Sequence, residues 1–239
     1  MKEKDQQASS LQKKLFEMQD EKYRIFQCRL MPTVPEEKVI GIRTPILRSF
    51  AKEFSKKPEA EDFLKQLPHD YYEENNLHSF LVAGIKDYDR VIAETERFLP
   101  HIDNWATCDS FSPGIFKKRK EDLYEKIKIW IEDSRTYTVR FAVGLLMEHY
   151  LEKDFQAEML QMVADVHSDE YYINMMCAWY MATALAKQGE AALPYFRECH
   201  MQREVFLMAV QKAVESYRID GEVKMQLKKF RGEYRKMWC

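Results

Sequence analysis

The stretch "NWATCDSF", residues 104–111, sets an indole and a carboxylate four positions apart. On a helix, Trp105 and Asp109 would share one face, one turn apart. A carboxylate on a buried face is costly, whereas on a groove it can stabilise a developing positive charge or orient a water. The same stretch runs into "DSFSPG", which is rich in capping residues, so Asp109 or Ser112 could instead close a helix end. Arg140 is expected in the first turn of "TVRFAVGLLMEHY", where a cation opposes the helix dipole unless an anion such as phosphate neutralises it. Trp179 sits in the middle of the apolar run "NMMCAWYMATALAK". Indole, carboxylate, guanidinium and a second indole thus recur about one helical repeat apart.

Other groups offer less chemistry. Cys108 lies beside Asp109 but has no histidine near it in sequence, so a buried thiol is expected. Cys199-His200 lacks partners at metal-ligand spacing, and no metal site is expected. His149 reads as a packed histidine, and Tyr171-Tyr172 as the start of a buried helix. Arg43, just before Thr44-Pro45, could reach a phosphate or simply open a helix.

These residues need elements to hold them, and the composition favours helices. Seven glycines and eight prolines leave little material for many tight turns, and no alternating stretch or Asn-Gly hairpin signal occurs. A first helix is expected over 9–30, with Ser9 or Ser10 as cap, and a second over 43–57 with Thr44 as cap and Pro45 in the first helical position. Pro58, Pro68 and Pro100 punctuate segments at 58–67, 71–86 and 88–100. Helical patterns continue at 114–132, 134–151, 154–167, 169–187, 189–199, 201–217 and 220–236. Two of these contain nearly all-apolar runs, 138–151 and 173–186, and a third apolar stretch follows at 206–219. Like helices spaced by roughly 30 to 40 residues are what stacked helix pairs give. The expected fold is all-α, a curved superhelix of antiparallel helix pairs in one domain spanning 1–239, with a concave face for a partner.

Net charge is −2 and charged residues make up 32% of the chain. That balance does not favour nucleic acid, although a repeat array can carry a basic concave face behind an acidic convex one. "KKRK" at 117–120 and "KKFRGEYRK" at 228–236 read as solvated helix faces, and Arg203 and Lys212 are the only cations between 201 and 216. The five cysteines form no CxxC pair, "MKEKDQQASS" lacks the apolar core of a leader, and the longest apolar run, 175–186, is too short to span a bilayer. A reduced, cytoplasmic protein without a membrane segment is expected.

The set "NWATCDSF", "TVRFAVGLLM" and "YYINMMCAWYMATALAK", preceded by "GIRTPILRSFAKEF" and followed by "QKAVESYRI", resembles the DNA alkylation repair (AlkD-like) family of HEAT-repeat DNA glycosylases, from about residue 20 to 235. The resemblance implies a HEAT-like solenoid that excises cationic N3- and N7-alkylated purines from duplex DNA. It implies no metal, no redox cofactor, no protein pocket for the damaged base, and a monomer. Trp105 and Trp179 would pack on deoxyribose and backbone at the lesion, Asp109 would be the catalytic carboxylate, and Arg140 would hold a phosphate beside it. Arg43 is a further candidate for the DNA backbone. The same scaffold without activity would be a binding platform for DNA or protein.

Overall fold

The computed structural model describes residues 10–237. Ser9, Cys239 and the first nine residues read above for a leader lie outside the described residues. Within them the secondary structure is helical throughout, with no strand. No described helix is long and apolar enough to cross a membrane.

The chain divides at Phe116/Lys117 into two compact units. The first holds α1 (Ser10–Phe16), α2 (Glu21–Leu30), α3 (Thr44–Phe54), α4 (Glu59–Lys65), α5 (Tyr72–Gly84), α6 (Tyr88–Phe98) and α7 (Trp105–Ser110). The second holds α8 (Lys120–Trp130), α9 (Thr136–His149), α10 (Glu158–Ala164), α11 (Tyr171–Lys187), α12 (Gly189–Arg197), α13 (Arg203–Glu215) and α14 (Gly221–Met237).

Several boundaries differ from expectation, and the pattern expected over 154–167 is helical only at Glu158–Ala164. The single helix over 9–30 is two, because Asp20 interrupts it: its side chain accepts the Tyr23 N–H (3.0 Å) and caps α2, while its own N–H donates to the Gly41 carbonyl (2.9 Å). Tertiary hydrogen bonds there replace the helical ladder. Arg43, not Thr44, is the cap of α3, so Thr44 and Pro45 are its first two residues. Residues Gly114–Lys118 form a 3-10 turn, and α8 begins only after it.

In the second unit α9 packs on α11 and α11 on α13. The other helices flank this row, α8 against α9, α10 and α12 against α11, and α14 against α12 and α13. A helix covered on several sides has no need of a polar face, which is why α9 and α11 read as apolar all round. Cys177, Ala178, Tyr180, Met181 and Ala184 of α11 are fully buried. The first unit repeats the plan, with α3 on α5, α5 on α7, and α4 and α6 against α5.

The central helix of the first unit is different in kind. Every residue of α5 from Tyr72 to Val82 is buried, including Glu73, Glu74, Asn75, Asn76, His78 and Ser79. Each such polar group needs a partner to offset its lost hydration. Glu74 caps the helix start by accepting the Asp70 and Tyr71 N–H groups, both at 3.0 Å. Glu73 and Asn76 reach further, to the 40–42 segment and to α7.

His78 shares a hydrogen bond with His69 (Nδ1 to Nε2, 3.0 Å) and stacks on Phe98, with ring centroids 4.3 Å apart. His69 stacks on Phe63 at 4.4 Å. Burial lowers both imidazoles, His69 to about 4 and His78 to about 3; the neighbouring His101 pushes both the same way, and Asp70 opposes this at His69. Both are therefore neutral in the folded protein at neutral pH. As pH falls below roughly 6.5, the unfolded chain binds protons that the folded chain refuses until about pH 4, so stability is present above pH 6.5 and is lost on acidification. For His69 alone the loss is on the order of 3 kcal/mol. Urea melts at pH 7.5 and 5.0 should show it, and His69→Gln should remove about half of the dependence, His78 keeping the rest. An equally steep fall in that variant would assign the acid sensitivity elsewhere.

Candidate nucleic-acid interface

Trp105 opens α7 and Asp109 stands one turn later, so they share a face of the helix as their spacing requires. The N-cap of α7 is Asn104, whose side-chain oxygen accepts the Thr107 N–H (2.8 Å). Asp109 lies within the helix and is exposed, while Thr107 and Cys108 are buried. The carboxylate is thus on a solvent-facing surface, and the thiol beside it is a core group.

The indole of Trp105 is half-buried and fixed at its polar end, with Nε1–H donating to the Leu30 carbonyl (3.0 Å). Its ring packs on a small core of Cys28, Met31, Val34, Val39 and Tyr72. A hydrogen-bonded, half-packed indole presents one rigid π-surface to whatever lies beside Asp109.

Arg48 and Asn76 belong to this neighbourhood and were not singled out by sequence reasoning. Arg48 lies 4.0 Å from the Phe80 ring centroid, and its Nη2 donates to the Ser110 carbonyl at the end of α7 (3.4 Å). Asn76 accepts the Thr107 hydroxyl hydrogen (2.9 Å). Neither carries a sequence signal, because each works through a partner remote in the chain. Arg43, which was singled out, pairs with Asp20 (Nε to Oδ2, 2.8 Å) and sits 5.1 Å from the Tyr23 ring. The Tyr23 N–H, and after it the Arg43 pairing, hold the Asp20 carboxyl below its ordinary range. The guanidinium is half exposed, so part of it remains open to solvent.

In the second unit Arg140 is the fifth residue of α9, one turn deeper than expected, and only 4% exposed. Its Nη1 donates to the Tyr172 carbonyl on α11 (2.8 Å). The cation is therefore tied to the neighbouring helix rather than resting over the first turn of its own.

Trp179 is 43% exposed, unusual for an indole in the middle of the most apolar helix of the chain. It borders a recess of about 310 Å³ between α11 and α13, with Thr183, Lys212, Glu215 and Arg218 around it. Lys212 Nζ stands 5.7 Å from the indole centroid. In sequence Lys212 is one of two cations on a sparsely charged helix, and the fold sets it over the exposed indole.

The remaining candidates are structural. His149 is buried, and its carbonyl accepts from Lys120 Nζ (2.8 Å). Tyr171 and Tyr172 open α11 edge to face, ring centroids 5.3 Å apart, and Tyr171 is exposed where a buried start was expected. His200 faces Glu198 (3.3 Å), and burial pushes the Cys199 thiol up to about 11. In "KKRK", Lys117 faces Glu148, Arg119 pairs with Asp122 and Lys120 with Asp154. Among the described residues no group of three or more His, Cys, Asp or Glu side chains could hold a metal ion.

A comparison with curated proteins finds no match. A family model described as DNA alkylation repair enzyme matches residues 11–212. That span takes in α1 through most of α13, including the Trp105–Asp109 helix, Arg140 and Trp179. With an all-α, HEAT-like helix pairing in both units and a family match over most of its length, the chain belongs to the DNA alkylation repair enzyme family.

Proposed function

We propose that this protein is a monofunctional DNA glycosylase that hydrolyses the N-glycosidic bond of cationic N3- and N7-alkylated purines in duplex DNA, acting as a monomeric, single helical-repeat domain without a cofactor. The observation that carries the reading is the exposed pair of Asp109 and a half-packed, hydrogen-bonded Trp105 on one face of α7, in a member of this family.

The chemistry suits that pair. An N-alkylated purine is already positively charged, so cleavage of the bond from C1′ to the ring nitrogen returns an electron pair to the base and leaves it neutral. The sugar takes the positive charge as an oxocarbenium. Little general acid is needed. Asp109 supplies a negative charge to that cation, and it orients the water that adds to C1′ and accepts its proton. Trp105 lays a π-face beside the same charge. In the second unit Trp179 takes a sugar or backbone segment of the duplex, and Arg140 is the cation assigned to a phosphate. Arg43 is a further backbone contact. The test is base release from a duplex bearing one 7-methylguanine, then one bearing 3-methyladenine, against a no-enzyme control. Silence on both would leave a binding platform instead.

The cation over Trp179 gives a separate check. If duplex DNA runs along the α11–α13 recess, Lys212→Met should weaken binding and reduce the slope of log K against log salt by about 0.9, one released counterion. An unchanged slope would take Lys212 off the DNA path.

A further inference from the structure

We propose that Asn76 and Thr107 are positioning residues for Asp109, through a buried hydrogen-bond circuit that ties α7 to α5 and α2. The inference rests on the reading of Asp109 as the reacting carboxylate. It starts from a difficulty: α7 has six residues, too few to hold its own direction, yet it would carry both the carboxylate and an indole. Something outside the helix must aim it.

The circuit supplies that aim. The Thr107 hydroxyl donates to Asn76 Oδ1 (2.9 Å) and accepts from Asn104 Nδ2 (3.0 Å), while the Thr107 N–H donates to Asn104 Oδ1 (2.8 Å). Both roles of one hydroxyl are filled, which fixes its rotamer. Asn104 and Thr107 are fully buried and Asn76 is nearly so. On α5, one turn before Asn76, the Tyr72 hydroxyl accepts from Gln27 Nε2 on α2 (3.2 Å), so the α5 backbone joins the two links. From α2 the circuit returns to α7, because the Leu30 carbonyl accepts the Trp105 Nε1–H (3.0 Å).

At the helical rotation per residue, Thr107 falls opposite the Trp105–Asp109 face of α7 and Asn104 well round from it. Burial follows that division. The members Asn76, Asn104 and Thr107 are therefore placed to act only through the position of Asp109. Arg48 adds a hold on the far end of α7 through the Ser110 carbonyl. A polar circuit of this kind has one satisfied arrangement, so it determines orientation in a way apolar packing does not.

The test is single-turnover base release from the 7-methylguanine duplex by wild type, Asp109→Asn, Thr107→Val, Thr107→Ser and Asn76→Ser. Valine keeps the shape of threonine and removes both hydrogen-bonding roles. Thr107→Val should lower the single-turnover rate about 10- to 100-fold, the effect of a misplacement near 1 Å. The Kd for the same duplex should stay within about twofold, and Thr107→Ser should recover to within about threefold of wild type. The Thr107→Val/Asn76→Ser double variant should lose no more than the worse single, since both cut one link. Should Thr107→Val not fold, Asn76→Ser carries the same comparison of rate against Kd. Release at the wild-type rate by either variant, or equal losses of rate and affinity, would overturn the positioning role. In that case a fast wild type and a slow Asp109→Asn would leave the catalytic assignment standing. A wild type that releases no base would remove that assignment, and this inference with it.

Discussion

Asp109→Asn is expected to slow base release by about 100- to 1000-fold, the usual loss when one preorganised charge stabilising a transition state is removed. Asparagine has the same shape and fills the same space on α7, so packing around Trp105 and the Asn104 cap should survive. What disappears is the negative charge facing the oxocarbenium and the acceptor for the proton of the attacking water. Ground-state binding should respond in the opposite direction. A carboxylate near phosphates repels them, so the variant should bind undamaged and damaged duplex as tightly as wild type or tighter. The signature is thus a fall in kcat with no rise in Kd. It is measured by single-turnover release of 7-methylguanine beside a binding titration on the same duplex. Release at the wild-type rate would mean that the carboxylate is an ordinary surface group of a short helix. A parallel fall in affinity would point instead to a folding defect in α7.

The sequence made the helical pairing legible because its signals are local. Apolar runs at 138–151, 173–186 and 206–219 recur at the spacing of a helix pair, and α9, α11 and α13 lie there, side by side. Trp105 and Asp109 share a face for a reason that is also local, their separation by one turn. What escaped detection depends on partners far apart in the chain. The break at Asp20 follows from hydrogen bonds to Ile40 and Gly41, so "SSLQKKLFEMQDEKYRIFQCRL" reads as one helix until the 40–42 segment is placed against it. The dipole argument for Arg140 sees only its own helix, whereas its bond to the Tyr172 carbonyl comes from the next inner one. Thr107 and Asn76 are 31 residues apart and individually unremarkable, and only the packing of α5 on α7 makes them a pair. Lys212 looked like a stray cation because nothing in a linear reading sets it over Trp179.

The same dependence on remote partners makes Glu73 the residue whose loss should most damage the first unit. Its carboxylate is fully buried and accepts three backbone N–H groups, from Ile40 (2.8 Å), Gly41 (2.7 Å) and Ile42 (3.1 Å). Burial pushes its pKa up and the three donors pull it down, burial being the larger influence. Donors nevertheless reach both oxygens, which is the geometry of an ionised acceptor. The segment it holds has no freedom to move aside. Gly41 has φ of +92°, a Cβ there would fall 2.4 Å from Arg24 Cβ, and Arg24 itself donates to the Val39 carbonyl (3.0 Å). Glu73→Gln keeps the size but can satisfy at most two of the donors, because its NH2 must face either the Ile40 N–H or the Gly41 and Ile42 pair. The expected cost is about 2 to 4 kcal/mol, from one or two buried donors left without an acceptor and the loss of charge assistance on the rest. Gly41→Ala should be comparably damaging through the clash alone. Since this segment leads into α3 and packs beside α2, which carries the Leu30 carbonyl under Trp105, loosening it should also release the indole. Urea melts followed by circular dichroism would read the stability, and acrylamide quenching of tryptophan emission would read the indole. A Glu73→Gln variant within about 1 kcal/mol of wild type would show that the three N–H groups find other acceptors, and that the 40–42 segment is held by its apolar contacts instead.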